Sequence, residues 1–383
     1  MSRDSCRRAP ERVVKITRVR TRQVDVPLPA PFYPAWAPGG VVTQIRLAYV
    51  RIDTDAGIYG VAGHEFFGAE EQCVRRVADY LVGEDPLRIE QHAGTLRYLW
   101  PYFGTAVWFV ELALWDIVGK VAGLPVYRLL GGAHDTLPLY ASTGQNRTPA
   151  ERADDARRLR DEGFRAIKLR VHNETLAEDV AQVAAVRRAV GDGMAIMVDA
   201  NQTDVDDAPL PGPHWTYHRA LSTARALAEY GVTWLEEPLP RHAYAALRRL
   251  HDASPVPIAG GEVNQGFAEL QRLLLDGCYD ILQPDVTLCE GLLRIRALAV
   301  MAQAAGVLVT PHTWGDPLGT VANLHLAASI ANTTFFEYPH DPPAFPASAY
   351  QQTLKTPLVV EDGVVRLPQA PGLGVDLQDW VFE

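Results

Sequence analysis

From Leu137 to Tyr338 the chain alternates short apolar segments with amphipathic ones, and few folds accept that pattern. Strand candidates fall at 137–143, 165–171, 195–201, 232–237, 257–262, 279–285, 307–312 and 334–338. Helical periodicity occupies 149–162, 175–190, 218–230, 242–251, 266–276, 290–305 and 317–330 between them. Strand–helix alternation at this spacing implies a parallel sheet with helices outside it. Eight strands imply closure into a barrel. An open doubly wound sheet is the alternative, but no glycine-rich phosphate loop follows the first strand. The expected fold class is therefore α/β, a TIM-like barrel.

The flanks differ. Residues 1–12 are charged, lack the apolar core of a secretion signal and read as a disordered tail. Residues 13–135 read as an α+β capping domain: strands at 13–26 and 45–54, helices at 69–82, 86–100 and 104–122. Pro27–Gly40, rich in Pro, Gly and aromatics, reads as a loop. The barrel spans 136–340, and 341–383 returns to strand and turn signals that pack back on the capping domain. The Pro-, Asp- and aromatic-rich stretch 203–217 is either a lid or an exposed loop.

A formal net charge of −10 argues against nucleic acid or an anionic membrane as partner. No apolar run approaches about 18 residues, so no membrane span is expected. Four scattered cysteines without a CxxC pair read as free thiols in a reducing, cytoplasmic setting.

The strand ends carry the chemistry. In a barrel of this kind the C-terminal rim of the strands is where sites are built. The third, fourth and fifth strands end in Asp199, Glu236 and Glu262. Three converging carboxylates repel unless a cation neutralises them, and hard oxygen donors suit Mg2+. The second strand places Lys168, Arg170 and His172 on one face by its period of two. Lys168 and Arg170 read as cations opposite a metal, or as structural ion pairs with the carboxylates. The sixth and seventh strands end in Asp285 and His312, and an Asp behind an imidazole makes it a general acid/base. Alone, such a pair describes a structural His more readily than a catalytic one; beside three carboxylates the balance reverses. Glu337 ends the eighth strand and, if protonated, could donate a hydrogen bond to an enolate oxygen.

As an ordered set, these motifs resemble the enolase superfamily, specifically the mandelate racemase/muconate lactonizing enzyme family and its acid-sugar dehydratases. The set comprises Ala113-Leu-Trp-Asp-Ile-Val-Gly-Lys120, Lys168-x-Arg170, Val198-Asp-Ala-Asn201, Trp234-Leu-Glu-Glu-Pro238, Gly261-Glu262, Gln283-Pro-Asp285, Pro311-His312 and Phe336-Glu337. The resemblance runs from about residue 13 to the C-terminus. It implies a (β/α)7β barrel capped by an α+β domain from both termini, and Mg2+ on Asp199, Glu236 and Glu262. It implies abstraction of a proton α to a carboxylate, with His312 and Asp285 as one acid/base and Glu337 bonding a substrate carboxylate oxygen. It also implies cap loops around Pro27–Gly40 and Gly63–Phe67 that set specificity. Trp36, His64 and Phe66 are the substrate-contact candidates there, with Asn201 on the rim, and the resemblance implies a homo-oligomer.

The chain departs from the family at Arg170, where the usual motif has a second Lys that acts as a base. A guanidinium stays protonated and is a poor base. Racemisation needs groups on both faces of the α-carbon, so the expectation shifts to dehydration of an aldonate or aldarate to a 2-keto-3-deoxy acid, which one His can serve. Lys168 or His172 could still supply a second face, leaving a racemase, epimerase or lactone cycloisomerase as the alternative. A non-enzymatic binding module on a degenerate barrel is the third reading.

Overall fold

The computed structural model describes residues 14–203 and 212–383. The expected tail at 1–12 and the centre of the 203–217 insertion lie outside the described residues. Three antiparallel strands open the fold: β1 (Ile16–Phe32), β2 (Val42–Thr54) and β3 (Tyr59–Glu65). Two expectations are corrected here. The stretch expected to be a loop from Pro27 is strand as far as Phe32, because the β1–β2 ladder resumes at Phe32–Val42 after a register shift. The supposed loop around Gly63 is largely strand, since Leu47 to Asp53 pair with Glu65 to Tyr59.

Helices α1 (Glu70–Leu81) and α3 (Trp108–Ala122) cover this sheet, and α2 (Ile89–Phe103) packs against both helices. Helix α3 is apolar almost all round because it is buried on most sides. Its buried Asp116 accepts the backbone N–H of Val61 at 2.9 Å and of Leu373 at 2.8 Å, and its carboxylate takes Lys120 Nζ at 2.7 Å. One side chain thus ties cap sheet, cap helix and C-terminal tail together. Gly60 permits the close approach, because a Cβ there would stand 2.0 Å from the Ala113 carbonyl oxygen.

All eight barrel strands form: β4 (Thr136–Ser142), β5 (Ala166–Arg170), β6 (Ala195–Asp199), β7 (Leu235–Glu236), β8 (Ile258–Gly260), β9 (Ile281–Leu282), β10 (Leu308–Val309) and β11 (Phe336–Pro339). They pair in parallel in sequence order from β4 to β10, and β11 returns to β4 in the register Phe336–Leu139. The seven intervening helices match the amphipathic segments, two of them opened by capping boxes, Thr148 with Glu151 and Thr175 with Glu178. The C-terminal segment divides its contacts. Its hairpin, β12 (Val360–Glu361) and β13 (Val364–Arg366), extends the barrel sheet by pairing antiparallel with β4. The remainder reaches the cap, where Tyr49 and Thr353 share a 2.7 Å hydrogen bond.

Inside the barrel, Tyr140, Ala166, Met197, Trp234, Ala259 and Ile281 pack into one layer contributed by six consecutive strands. Tyr140 and Trp234 meet edge to face at 5.4 Å. This apolar floor closes the barrel below and leaves the residues two positions further along each strand facing the rim. Among the described residues, no helix is long and apolar enough to cross a membrane.

Candidate active site

Two residues above the apolar floor stand Lys168, Asp199, Glu236 and Gln283, one from each of β5, β6, β7 and the end of β9. The ladder aligns Arg170 with Asp199 and Asp199 with Glu236. Period two from Ala259 would bring Gly261, not Glu262, to this face. Gly261 adopts φ +114°, a conformation that glycine accepts readily, and the chain turns there so that Glu262 Oε2 comes within 3.7 Å of His312 Nε2.

Lys168 is fully buried among acids. Its Nζ lies 2.7 Å from Glu236, 2.7 Å from Glu337 and 3.5 Å from Asp199. Burial opposes its charge, but these carboxylates outweigh burial and hold the ammonium above its ordinary value. Arg170 is equally committed. Its Nε donates to the Thr143 carbonyl at 2.8 Å, and its Nη1 to Asp199 and, at 3.2 Å, to Asn201 Oδ1. Trp36 of the cap and Trp314 of the rim flank the guanidinium, with ring centroids 4.9 and 5.5 Å from Cζ. The two cations therefore make structural ion pairs with the site's carboxylates, one of the two readings their spacing allowed.

Glu236 is held by three donors: Lys168 on one oxygen, Trp234 Nε1 at 3.0 Å and Gln283 Nε2 at 2.9 Å on the other. Burial first, then Asp199, Glu337 and Glu262, against the pull of Lys168, push its carboxyl up to about 7. Its neighbour Glu237 is buried at φ +46° with both carboxylate oxygens lacking a hydrogen-bond partner. Burial, then Glu262, Asp199 and Glu236, raise that carboxyl well above its ordinary value. Among the described residues, no three acidic, His or Cys side chains already surround one point. The donor set nevertheless fits a hard divalent cation: adjacent strand ends present oxygen ligands, and an orphaned buried carboxylate lies beside them.

The Asp285–His312 pair is present. His312 Nδ1 donates to Asp285 Oδ2 at 3.0 Å, and Asp285 Oδ1 is fixed by the Thr287 N–H and hydroxyl, both at 2.7 Å, and by Asn323 Nδ2 at 2.9 Å. Burial resists charging the ring, but Glu262, Asp285 and Glu337 outweigh burial and push it up to about 10.

Glu337 requires a correction. Burial favours its neutral form, yet Lys168 and His312 draw it down to about 2. It accepts the Thr313 N–H at 3.2 Å. Both of its oxygens face donors, Lys168 Nζ on one and the Thr313 N–H on the other, an arrangement that favours the ionised form over the protonated one. His172 is corrected too. Strand β5 ends at Arg170, so the alternation does not carry His172 into the cluster; its Nδ1 donates to the Ala35 carbonyl at 2.7 Å. His64 is fully buried in the cap, 3.3 Å from Glu70 and packed on Phe109 at 4.4 Å, and is no substrate contact. Phe66 and Trp36 line a cleft of about 570 Å3 between cap and rim, together with Gln44, Arg46, Glu65 and Trp314. Asn201, at φ +47°, bonds Arg170 on the rim.

Sequence reasoning missed several supports. Gln283 follows directly on β9, where the strand's alternation points it inward with Ile281, whereas Trp314 lies well past the end of β10 and carries no strand signal. Glu65 ends β3 with an exposed side chain that lines the cleft. Asn323 sits on a helix with no local signal.

Residues 151–381 match the enolase C-terminal domain-like family model, and residues 16–131 match the mandelate racemase/muconate lactonizing enzyme N-terminal domain. A D-galactarolactone cycloisomerase of Agrobacterium fabrum is 30% identical, across 95% of this chain and 97% of that one. A D-galactonate dehydratase of Ralstonia nicotianae is 32% identical, across 87% and 89%. The crystal structure of a racemase from Streptomyces coelicolor A3(2) with bound magnesium superposes with TM-score 0.81 at 30% identity, covering 94% of this chain and 97% of that one.

Proposed function

The chain belongs to the mandelate racemase/muconate lactonizing enzyme family of the enolase superfamily, and from that premise we propose that it is a Mg2+-dependent acid-sugar dehydratase. It removes the proton α to the substrate carboxylate and expels the β-hydroxyl as water. Asp199, Glu236 and Glu262 would hold the metal. When bound, Mg2+ supplies positive charge where the carboxylate gains its second negative charge.

The remaining roles fall to this chain's own side chains. In its neutral form the His312 ring takes the C2 proton on Nε2, with Asp285 fixing the ring and balancing its charge; Glu262, the carboxylate that most favours the charged ring, is one of those whose charge a bound cation would offset. The same nitrogen returns the proton to the departing C3 hydroxyl, which leaves as water. The resulting enol becomes a 2-keto-3-deoxy acid when C3 gains a proton. Lys168 and Arg170 remain cations and hold the carboxylates in place. Trp36 and Trp314 exclude water from the Arg170 side.

One observation carries the preference for elimination over racemisation. Of the three basic side chains in the cluster, Lys168 and Arg170 are bound up in ion pairs, whereas His312 keeps its Nε2 3.7 Å from Glu262, beyond hydrogen-bond reach. A single available nitrogen supports chemistry on one face of the α-carbon. The test is turnover of aldonates and aldarates with Mg2+, read as a 2-keto-3-deoxy acid. His312→Asn and metal removal should each abolish it, and product formation in excess chelator would contradict the proposal.

Lactone or ether cycloisomerisation is the second reading, favoured by the likeness to a D-galactarolactone cycloisomerase over 95% of the chain. It begins with the same proton removal, but the expelled β-oxygen belongs to a ring. Its product has the mass of the substrate, whereas dehydration lowers the mass by one water.

A further inference from the structure

We propose that His172 is a positioning residue that fastens the cap segment 33–40 to the barrel rim and so holds Trp36 against Arg170. The segment is pinned at three places. Gln145 Oε1 accepts the Tyr33 N–H at 3.2 Å, the Gly144 carbonyl accepts the Ala35 N–H at 2.9 Å, and His172 Nδ1 donates to the Ala35 carbonyl at 2.7 Å. The first two come from the loop after β4 and the third from the loop after β5. That rim is rigid. Asp341, at the end of the barrel, accepts the Gly144 and Gln145 N–H groups at 3.0 Å each and pairs with the fully buried Arg152 at 3.0 Å.

The spacing makes the contact more than a surface tether. His172 and Arg170 lie two residues apart on one side of the interface, and they meet consecutive cap residues, Ala35 and Trp36. Trp36 then stands edge-on to Trp314 at 4.8 Å. Holding the Ala35 carbonyl therefore sets where the indole lies over the guanidinium that pairs with Asp199. A carbonyl can only accept, so Nδ1 must carry its proton, and a substituent lacking a donor at that point loses the contact. The ring's other nitrogen faces the insertion: a Cβ on Gly212 would lie 3.1 Å from His172 Nε2. The role assigned to Trp36 rests on the proposed site; the fastening itself does not.

Two substitutions separate the hydrogen bond from the ring. His172→Asn places an amide N–H close to where Nδ1 stands, and His172→Phe keeps a flat ring with no donor. Amide hydrogen exchange of the full-length protein is followed by mass spectrometry on peptides covering residues 33–40. Loss of one hydrogen bond should speed exchange there roughly fivefold in the Phe variant, with the thermal midpoint unchanged, and the Asn variant should restore protection. Wild-type protection in the Phe variant, or equal exposure in both variants, would overturn the proposal. On the acid sugar that turns over, the Phe variant should raise KM with kcat kept; a fall in kcat at unchanged KM would likewise overturn it. If no acid sugar turns over, the functional proposal fails, and the exchange comparison still decides the fastening.

Discussion

Replacing Lys168 by Met asks how much of the site's stability depends on one buried cation. The side chain is fully buried, and its Nζ lies 2.7 Å from both Glu236 and Glu337. Methionine keeps the length and removes the charge, leaving carboxylates with no partner at that point. Burial pushes Glu337 up, but Lys168, then His312, bring it down to about 2 from 4.5. Removing one partner of a buried pair costs roughly 3–5 kcal/mol. The assay is urea unfolding at pH 7 in chelator, repeated with Mg2+. The variant should lose roughly 3–5 kcal/mol in chelator. Mg2+ should stabilise it more than the parent, because the cation then supplies the missing charge. Adding Glu337→Gln should recover part of the loss, since the orphaned charge is gone. The sign with pH is also fixed. Without Lys168 the Glu337 carboxyl rises, so the variant's deficit should shrink as pH falls toward 5. A variant as stable as the parent in chelator, or one indifferent to Glu337→Gln, would refute the reasoning.

His312→Asn should leave no detectable turnover, a loss of at least about 10²–10⁴-fold, with little change in fold, checked by product formation and circular dichroism. Trp36→Ala removes the ring 4.9 Å from Arg170 and should raise KM at least severalfold, read from initial rates. His325 is buried, takes the Tyr127 N–H on Nδ1 at 3.1 Å and donates from Nε2 to the Leu373 carbonyl at 3.0 Å; burial, against that last bond, lowers it from 6.5 to about 4. Its folded value lies below its unfolded one, so its contribution of about 3 kcal/mol is complete above pH 6.5 and is lost as pH falls toward 4. Urea midpoints of the parent and His325→Gln should therefore differ at pH 7 and converge near pH 4.

Much of the barrel was legible because its signal is local. An apolar run buried on both faces, followed by an amphipathic helix, needs no knowledge of the rest of the chain. That is why all eight strands and seven helices fall on the expected segments. Strand register then carried Lys168, Arg170, Asp199 and Glu236 to one rim, and Asp285 and His312 meet there on the segments that follow β9 and β10. The cap was harder to read. Pro27–Phe32 carries turn residues, yet it is strand because the sheet edge resumes pairing after a register shift. His172 follows the correct parity but lies two residues past the end of its strand, where period two no longer governs. The ionised state of Glu337 depends on Lys168, 169 residues away in sequence and 2.7 Å away in space. The sequence around His64 suggests a substrate-contacting cap loop, and only the packing of β3 against α3 reveals the ring as core.

The central claim is removal of an α-proton by one nitrogen on one face, with loss of a β-oxygen. Proton NMR of the protein with Mg2+ and a panel of aldonates and aldarates in D2O tests it most directly. The account predicts a 2-keto-3-deoxy product carrying one deuteron at C3, absent with His312→Asn. Deuterium appearing at C2 of an otherwise intact substrate, with inversion at that carbon and no water lost, would contradict it.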